Sequence, residues 1–279
     1  MDVSLNPSVT THRASDSTKC LNCGAELTGE YCHQCGQPKL HRHEFSIKHF
    51  LGHLVHEFTH LDSNKVFKTL SALVFRPGLL TADYLAGRKG KHINPIRIYL
   101  TFSALYFLFA WGALADIRGG NVERTARNRY TIAVAQKKGI EPIVLAEKIH
   151  HRAEKFAAGL RFAGVTISAL FLTIAYFRMR RYYVEHLIFS LHYYSFDFFC
   201  KSFIAAIYIV AAALGWKLPV ALMNGFYPVA FVYMLFALKR VYQQGWPITI
   251  VKSVVLFACE SALFIGVAIA GFMIAFLMA

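Results

Sequence analysis

Five runs of about twenty mostly apolar residues, near 97–116, 160–177, 187–214, 220–238 and 249–277, constrain this chain more than anything else in it. A bilayer core offers no water to pair with backbone N–H and C=O groups, so each run can cross only as a helix that pairs them internally. The sequence therefore reads as an all-α, integral membrane helical bundle with about five transmembrane helices. Composition agrees: 56% of the residues are hydrophobic and 16% charged, which is far more apolar than an ordinary soluble domain. The run from Leu187 to Leu214 exceeds what a bilayer requires and includes His192, Asp197 and Lys201, so an interfacial helix followed by a shorter span is the alternative there.

The formal net charge is +14. Much of the excess lies beside apolar runs, as in Arg178-Met179-Arg180-Arg181 and the stretch from Lys239 to Gln244, where it can meet anionic headgroups. A lipid bilayer is thus the expected partner of this charge, and nucleic acid is not. No basic segment, apolar run and small-residue cleavage site open the chain, so insertion is expected to start at the first internal span. With the amino terminus inside, both short basic connections also fall inside, and the carboxyl terminus falls outside.

Ahead of the apolar runs stand Cys20-Leu21-Asn22-Cys23 and Cys32-His33-Gln34-Cys35, each followed by a glycine, Gly24 or Gly36, that suits a tight knuckle turn. Two such pairs can offer four thiolates to a tetrahedral Zn²⁺ at about 2.3 Å. The spacing predicts a zinc ribbon over 19–39, behind a disordered lead at 1–18, with Cys20, Cys23, Cys32 and Cys35 holding one structural zinc per chain. Four cysteine ligands leave no open position for water or substrate, which argues against catalysis at this metal. Thiolate ligation also favours a reducing compartment and hence a cytoplasmic amino terminus. Cys200 and Cys259 lie inside apolar runs and are expected to pack as small hydrophobes.

Residues 40–96 are expected to form cytoplasmic amphipathic, interfacial helices that lie on the membrane face. In the first, Ile47, Phe50, Leu51, Leu54, Val55, Phe58 and Leu61 recur at helical spacing, while His49, His53, His56 and His60 share the opposite face. That face suits the solvated side of an interfacial helix or, with Glu57 nearby, a second metal or pH-sensing site. A second helix over about 64–75 is stopped by Pro77, and a third through Leu79 to Ala86 is ended by Gly87.

The region from 97 to 279 is assigned to the transmembrane bundle, interrupted by a polar loop at about 117–159 with a helical central part. Within it, His186, Ser190, Tyr193, Asp197 and Lys201 recur at helical spacing as one polar stripe, with Asp197 and Lys201 able to neutralise each other. Ionisable groups at membrane depth are costly and should face protein or a wet cavity. His186, His192, Asp197, Lys201 and Glu260 are accordingly the candidate intramembrane polar site, either an ion path or interhelical glue.

The order Cys-x-x-Cys-Gly, Tyr-Cys-x-x-Cys-Gly-Gln, Arg76-Pro77-Gly78, then Tyr84, Gly87, Arg88, Pro95, Arg97 and Tyr99, then Glu185-His186 with His192, resembles one known pattern. It is similar to an uncharacterised bacterial family of multi-pass membrane proteins with an amino-terminal zinc ribbon, catalogued as a domain of unknown function. The resemblance runs from about Cys20 to the Tyr242–Trp246 region and implies a bacterial inner-membrane location, with no activity or substrate attached. The expected role is non-enzymatic: the ribbon and helices recruit a cytoplasmic protein partner, and the bundle anchors them. The alternatives are a small transporter or channel using the intramembrane residues, and a metal-dependent enzyme acting on lipid through the histidine face. No residues are assigned to catalysis, because no nucleophile lies beside Glu185 and His186 and no phosphate-cradling glycine motif is present.

Overall fold

The structure is a computed structural model that describes residues 18–39, 63–113, 115–216, 218–219 and 225–278. Residues 1–17 of the lead expected at 1–18, and the helix expected to bear His49, His53, His56 and His60, lie outside the described residues. From residue 63 onward the protein is helical: α1 Ser63–Phe75, α2 Leu79–Leu85, α3 Pro95–Ala113, α4 Ala115–Ala126, α5 Arg129–Lys138, α6 Pro142–Ala175, α7 Tyr183–Ala213, α8 Phe226–Tyr242 and α9 Trp246–Met278. The described residues contain no β-strand, only the isolated antiparallel bridges Lys19 with Glu26 and Tyr31 with Pro38.

Local chemistry sets the breaks. Pro77 cannot continue α1, and Gly78 turns the chain with φ of 75° to start α2. At the other end of α2, Gly87 at φ 83° lets its own N–H reach Tyr84 O at 3.0 Å and the Arg88 N–H reach Asp83 O at 2.9 Å. Those two bonds form a Schellman closure that folds the following basic connector back over the helix end. The Asn94 side chain accepts from the Ile96 N–H at 3.1 Å, and Pro95 occupies the first turn of α3, where a missing N–H costs nothing.

The expected polar loop at about 117–159 is helical well beyond its central part. Its residues form α4, α5 and the first half of α6, which begins at Pro142 and runs without a break into the apolar stretch. Asn128 caps α5 through the Tyr130 N–H at 3.0 Å, and Ala135, Leu145 and Ile149 form a small core of their own. The sequence signal for these helices is an amphipathic one, overshadowed by the density of charge.

Helix α7 is one continuous helix of 31 residues, so the division of 187–214 into an interfacial and a spanning part does not occur. Glu185 supports its start, its carboxylate accepting from the Tyr182 N–H at 3.3 Å. Among the described residues, two helical stretches are long and apolar enough to cross a membrane, Tyr183–Ala213 and Trp246–Leu263, with Ala163–Ala175 a shorter apolar helix. Two stretches meet that test where five were expected. Helix α8 has 17 residues and the apolar part of α6 is Ala163–Ala175, so both are shorter than that test requires.

Helix α7 organises the packing. It lies along α3 and against α6, while α9 packs on α6 and α8, and α8 packs on α2. The main core joins Leu73 and Leu80 from α1 and α2 to Tyr176, Phe189, Tyr233, Leu238 and Tyr242. Two ring pairs stack nearly parallel there, Phe196 with Tyr233 at 3.6 Å and Tyr176 with Tyr242 at 3.7 Å between centroids. A second core, with Tyr99, Tyr106, Ile188, Leu191 and Phe198, seals α3 to α7. Gly78 meets α8 so closely that a Cβ there would lie 2.8 Å from Ala237 O and 2.9 Å from Ala237 Cα.

Candidate functional site

The Cys-rich segment is built from two copies of one backbone pattern, twelve positions apart. Cys20 N–H donates to Ala25 O at 2.7 Å, and Cys32 N–H donates to Gln37 O at 2.9 Å; Gly24 and Gly36 N–H donate to Cys20 O and Cys32 O, both at 2.8 Å. The knuckle glycines adopt φ of 80° and 69°, a region that other residues enter at a cost. These turns bring the thiols together: Sγ of Cys20 lies 3.6 Å from Cys35, Sγ of Cys23 lies 3.5 Å from Cys32, and all four are within 4.8 Å of one another. Four sulfurs each about 2.3 Å from a central tetrahedral ion would stand at nearly this separation, so the donor set fits a zinc site.

The segment is seated on the helices through Gln37, which is buried at 4% exposure. Its side-chain amide donates to Gly87 O at 2.8 Å and accepts from Gly90 N–H at 2.9 Å. Both partners belong to the connector that follows α2. A Cβ on Gly90 would lie 3.1 Å from Asn22 Nδ2 and 3.2 Å from Gln37 Oε1, so a side chain there would press on both. The sequence contains each of these residues in its motifs, yet nothing in their spacing indicates that they meet.

Under the connector lies Asp83, 2% exposed on α2. Arg88 donates to its Oδ1 from Nε at 3.0 Å and from Nη2 at 2.6 Å, Lys91 Nζ is 3.3 Å from Oδ2, and His92 Nε2 is 2.9 Å from the same oxygen. Burial pushes the Asp83 carboxyl up, but the hydrogen bonds from Arg88 and His92 and the charges of Arg88 and Lys91 outweigh it and hold the group below its ordinary value. Burial holds His92 below its ordinary value, against the opposing pull of Asp83. A carboxylate whose folded-state pKa lies below its unfolded one contributes stability above the unfolded value, and that contribution is lost as pH falls through the folded value. In detergent, the thermal unfolding midpoint is expected to drop as pH falls below about 4, and Asp83→Asn should remove part of that acid dependence. Equal acid dependence in the two proteins would show that Asp83 does not hold the connector.

The candidate intramembrane residues separate into four groups. His192 faces α2, sharing a 3.0 Å hydrogen bond with Thr81 Oγ1. His186 shares a 2.6 Å hydrogen bond with Tyr242 Oη on α8, while its neighbour Glu185 points elsewhere, 3.7 Å from Arg181. Asp197 and Lys201 pair at 2.7 Å. Glu260 reaches α7 through a serine relay: Ser168 Oγ on α6 donates to Glu260 Oε1 at 2.5 Å, and Ser190 Oγ donates to Ser168 Oγ at 3.3 Å. Nothing in the sequence singles out Ser168, Asp83, Thr81 or His92, since each is a single polar residue with no motif around it.

One match concerns residues outside the described set. His56-Glu57-Phe58-Thr59-His60, read above as part of a histidine face, also has the His-Glu-x-x-His spacing of helical zinc hydrolases.

Among the described residues, these observations define a helical body with two helices long and apolar enough to cross a membrane and a four-cysteine cluster seated on it. Residues 63–107, spanning α1, α2, the connector and most of α3, match the model of a family described as "Protein of unknown function (DUF3667)". No curated protein and no solved structure matches the chain.

Proposed function

We propose that this is a multi-pass inner-membrane protein whose cytoplasmic zinc ribbon is held at a fixed position to receive a cytoplasmic protein partner, the helical bundle serving as anchor. The single observation that carries this reading is the seating of the ribbon by Gln37 on Gly87 and Gly90. A metal-stapled element with no open coordination position, fixed on a helical body, is suited to presentation rather than turnover. Its exposed surface includes Tyr31, 69% accessible, the type of side chain that anchors protein interfaces. A photo-crosslinker at exposed Gln34 in the full-length protein in native membranes is expected to trap a discrete partner. Tyr31→Ala should weaken that product, and Glu260→Gln should leave it intact. The absence of any discrete product would sink the recruiting role.

The Glu260–Ser168–Ser190 relay favours a second reading, a path for protons or a small cation through the bundle. On that reading, pH- or cation-driven flux into proteoliposomes is lost in Glu260→Gln and unaffected by Tyr31→Ala. Flux that is equal with and without the protein removes it. The enzymatic reading requires His56, Glu57 and His60, so lipid turnover that survives Glu57→Gln would exclude it.

A further inference from the structure

We propose that metal loading of the ribbon is coupled to the helical body through Gln37, so that the connector from Gly87 to His92 is a latch closed only when the ribbon is folded around its metal. This rests on the zinc-ribbon reading of the four cysteines and extends it to a regulatory role. Three observations carry it. Gln37 lies two positions beyond Cys35, and its carbonyl accepts from the Cys32 N–H at 2.9 Å, so the metal-binding knuckle sets its position. Its side chain then grips both a carbonyl and an N–H of the connector, at Gly87 and Gly90. On its other side, the connector is held by Asp83 through Arg88, Lys91 and His92, and α2, which carries Asp83, also carries Thr81, bonded to His192 in α7.

The described Cys-rich segment has few apolar residues to bury. Small metal-stapled folds of this kind are commonly unfolded without their ion, because the binding free energy is their folding free energy. Release of the ion would free the Gln37 backbone, and the Gly90 N–H would lose its acceptor. The Asp83 contacts remain available, so the connector loosens on the ribbon side while α2 stays in place. The state of the cysteines is thereby conveyed to the segment beside a candidate membrane-crossing helix, without any residue of that helix contacting the metal.

Hydrogen exchange on the full-length protein in detergent micelles, with and without a zinc chelator, tests this. Chelation is expected to raise exchange across 18–39 and, at the Gly90 amide, by about tenfold, the scale of losing one buried hydrogen bond. Gln37→Ala should retain its zinc and show the raised Gly90 exchange already, with no further rise at Gly90 on chelation. Gly90→Ala, whose added Cβ presses on Asn22 and Gln37, should raise exchange at residues 87–92 with the cysteines intact. If chelation opens 18–39 and leaves Gly90 unchanged, or if it still raises Gly90 exchange in Gln37→Ala, the latch is wrong although the zinc ribbon stands. A protein that purifies without zinc and takes up none when it is added overturns the metal reading and the latch with it.

Discussion

Cys32→Ser is expected to take bound zinc from one ion per chain to none and to open residues 18–39 to protease, while the far-ultraviolet signal of the helices stays unchanged. The size of the effect follows from two facts. Cys32 is 2% exposed and shares its sulfur environment with three other thiols within 4.8 Å, so no water-filled space stands ready to replace it as a ligand. Structural zinc in small folds is worth on the order of 10 kcal/mol, and three ligands rarely hold it with comparable strength. The helices have their own aromatic cores, which the ribbon does not enter. Zinc content by elemental analysis, with proteolysis of the same preparation, decides the matter. Zinc retained at one per chain would move the metal to His49, His53, His56 and His60 or to the intramembrane residues, and the catalytic or transport readings would gain accordingly.

Gly78→Ala should cost far more stability than the same methyl addition at Gly139. Two penalties fall on one atom. The backbone at φ 75° disfavours any Cβ, and this Cβ would lie 2.8 Å from Ala237 O and 2.9 Å from Ala237 Cα, which are backbone atoms that no rotamer change can move. Left-handed conformation costs an ordinary residue roughly 1–2 kcal/mol, and overpacking adds about 1–3 kcal/mol, so a total of roughly 2–5 kcal/mol is expected. Gly139, at φ 65° with open space around its Cβ position, is the internal control and should lose only the first part. Thermal unfolding of both variants in the same detergent makes the comparison. A Gly78→Ala protein as stable as Gly139→Ala would mean that α2 does not rest on α8 as described.

Much of the local structure was legible because it depends on neighbours in sequence. Pro77, Gly87 and the Asn94-Pro95 pair mark real helix ends, since a proline lacks an N–H and a glycine accepts positive φ wherever it falls. The cysteine cluster was legible for the same reason: its spacing is the geometry of the knuckle. The polar stretch before α6 misled, because charge density reads as loop when the apolar face beneath it is only a few residues wide, as with Ala135, Leu145 and Ile149. What escaped the sequence were contacts between distant positions. Gln37 to Gly87, Thr81 to His192 and Ser168 to Glu260 each join residues fifty or more positions apart, and no spacing pattern links the two ends of any pair. The residues expected to form a polar stripe all lie on α7, yet they turn to different neighbours, because this helix touches several others at once.

The repeated knuckle carries one further implication. Two halves with the same backbone bonds form an object with an approximate twofold likeness, which by its main chain alone has no preferred end. Ala25 holds in the first half the place that Gln37 holds in the second, and a methyl group cannot reach for a carbonyl and an N–H. Which of the two knuckles meets the connector after α2 is therefore set by the Gln37 side chain. Backbone symmetry is free to persist because one amide is enough to break it.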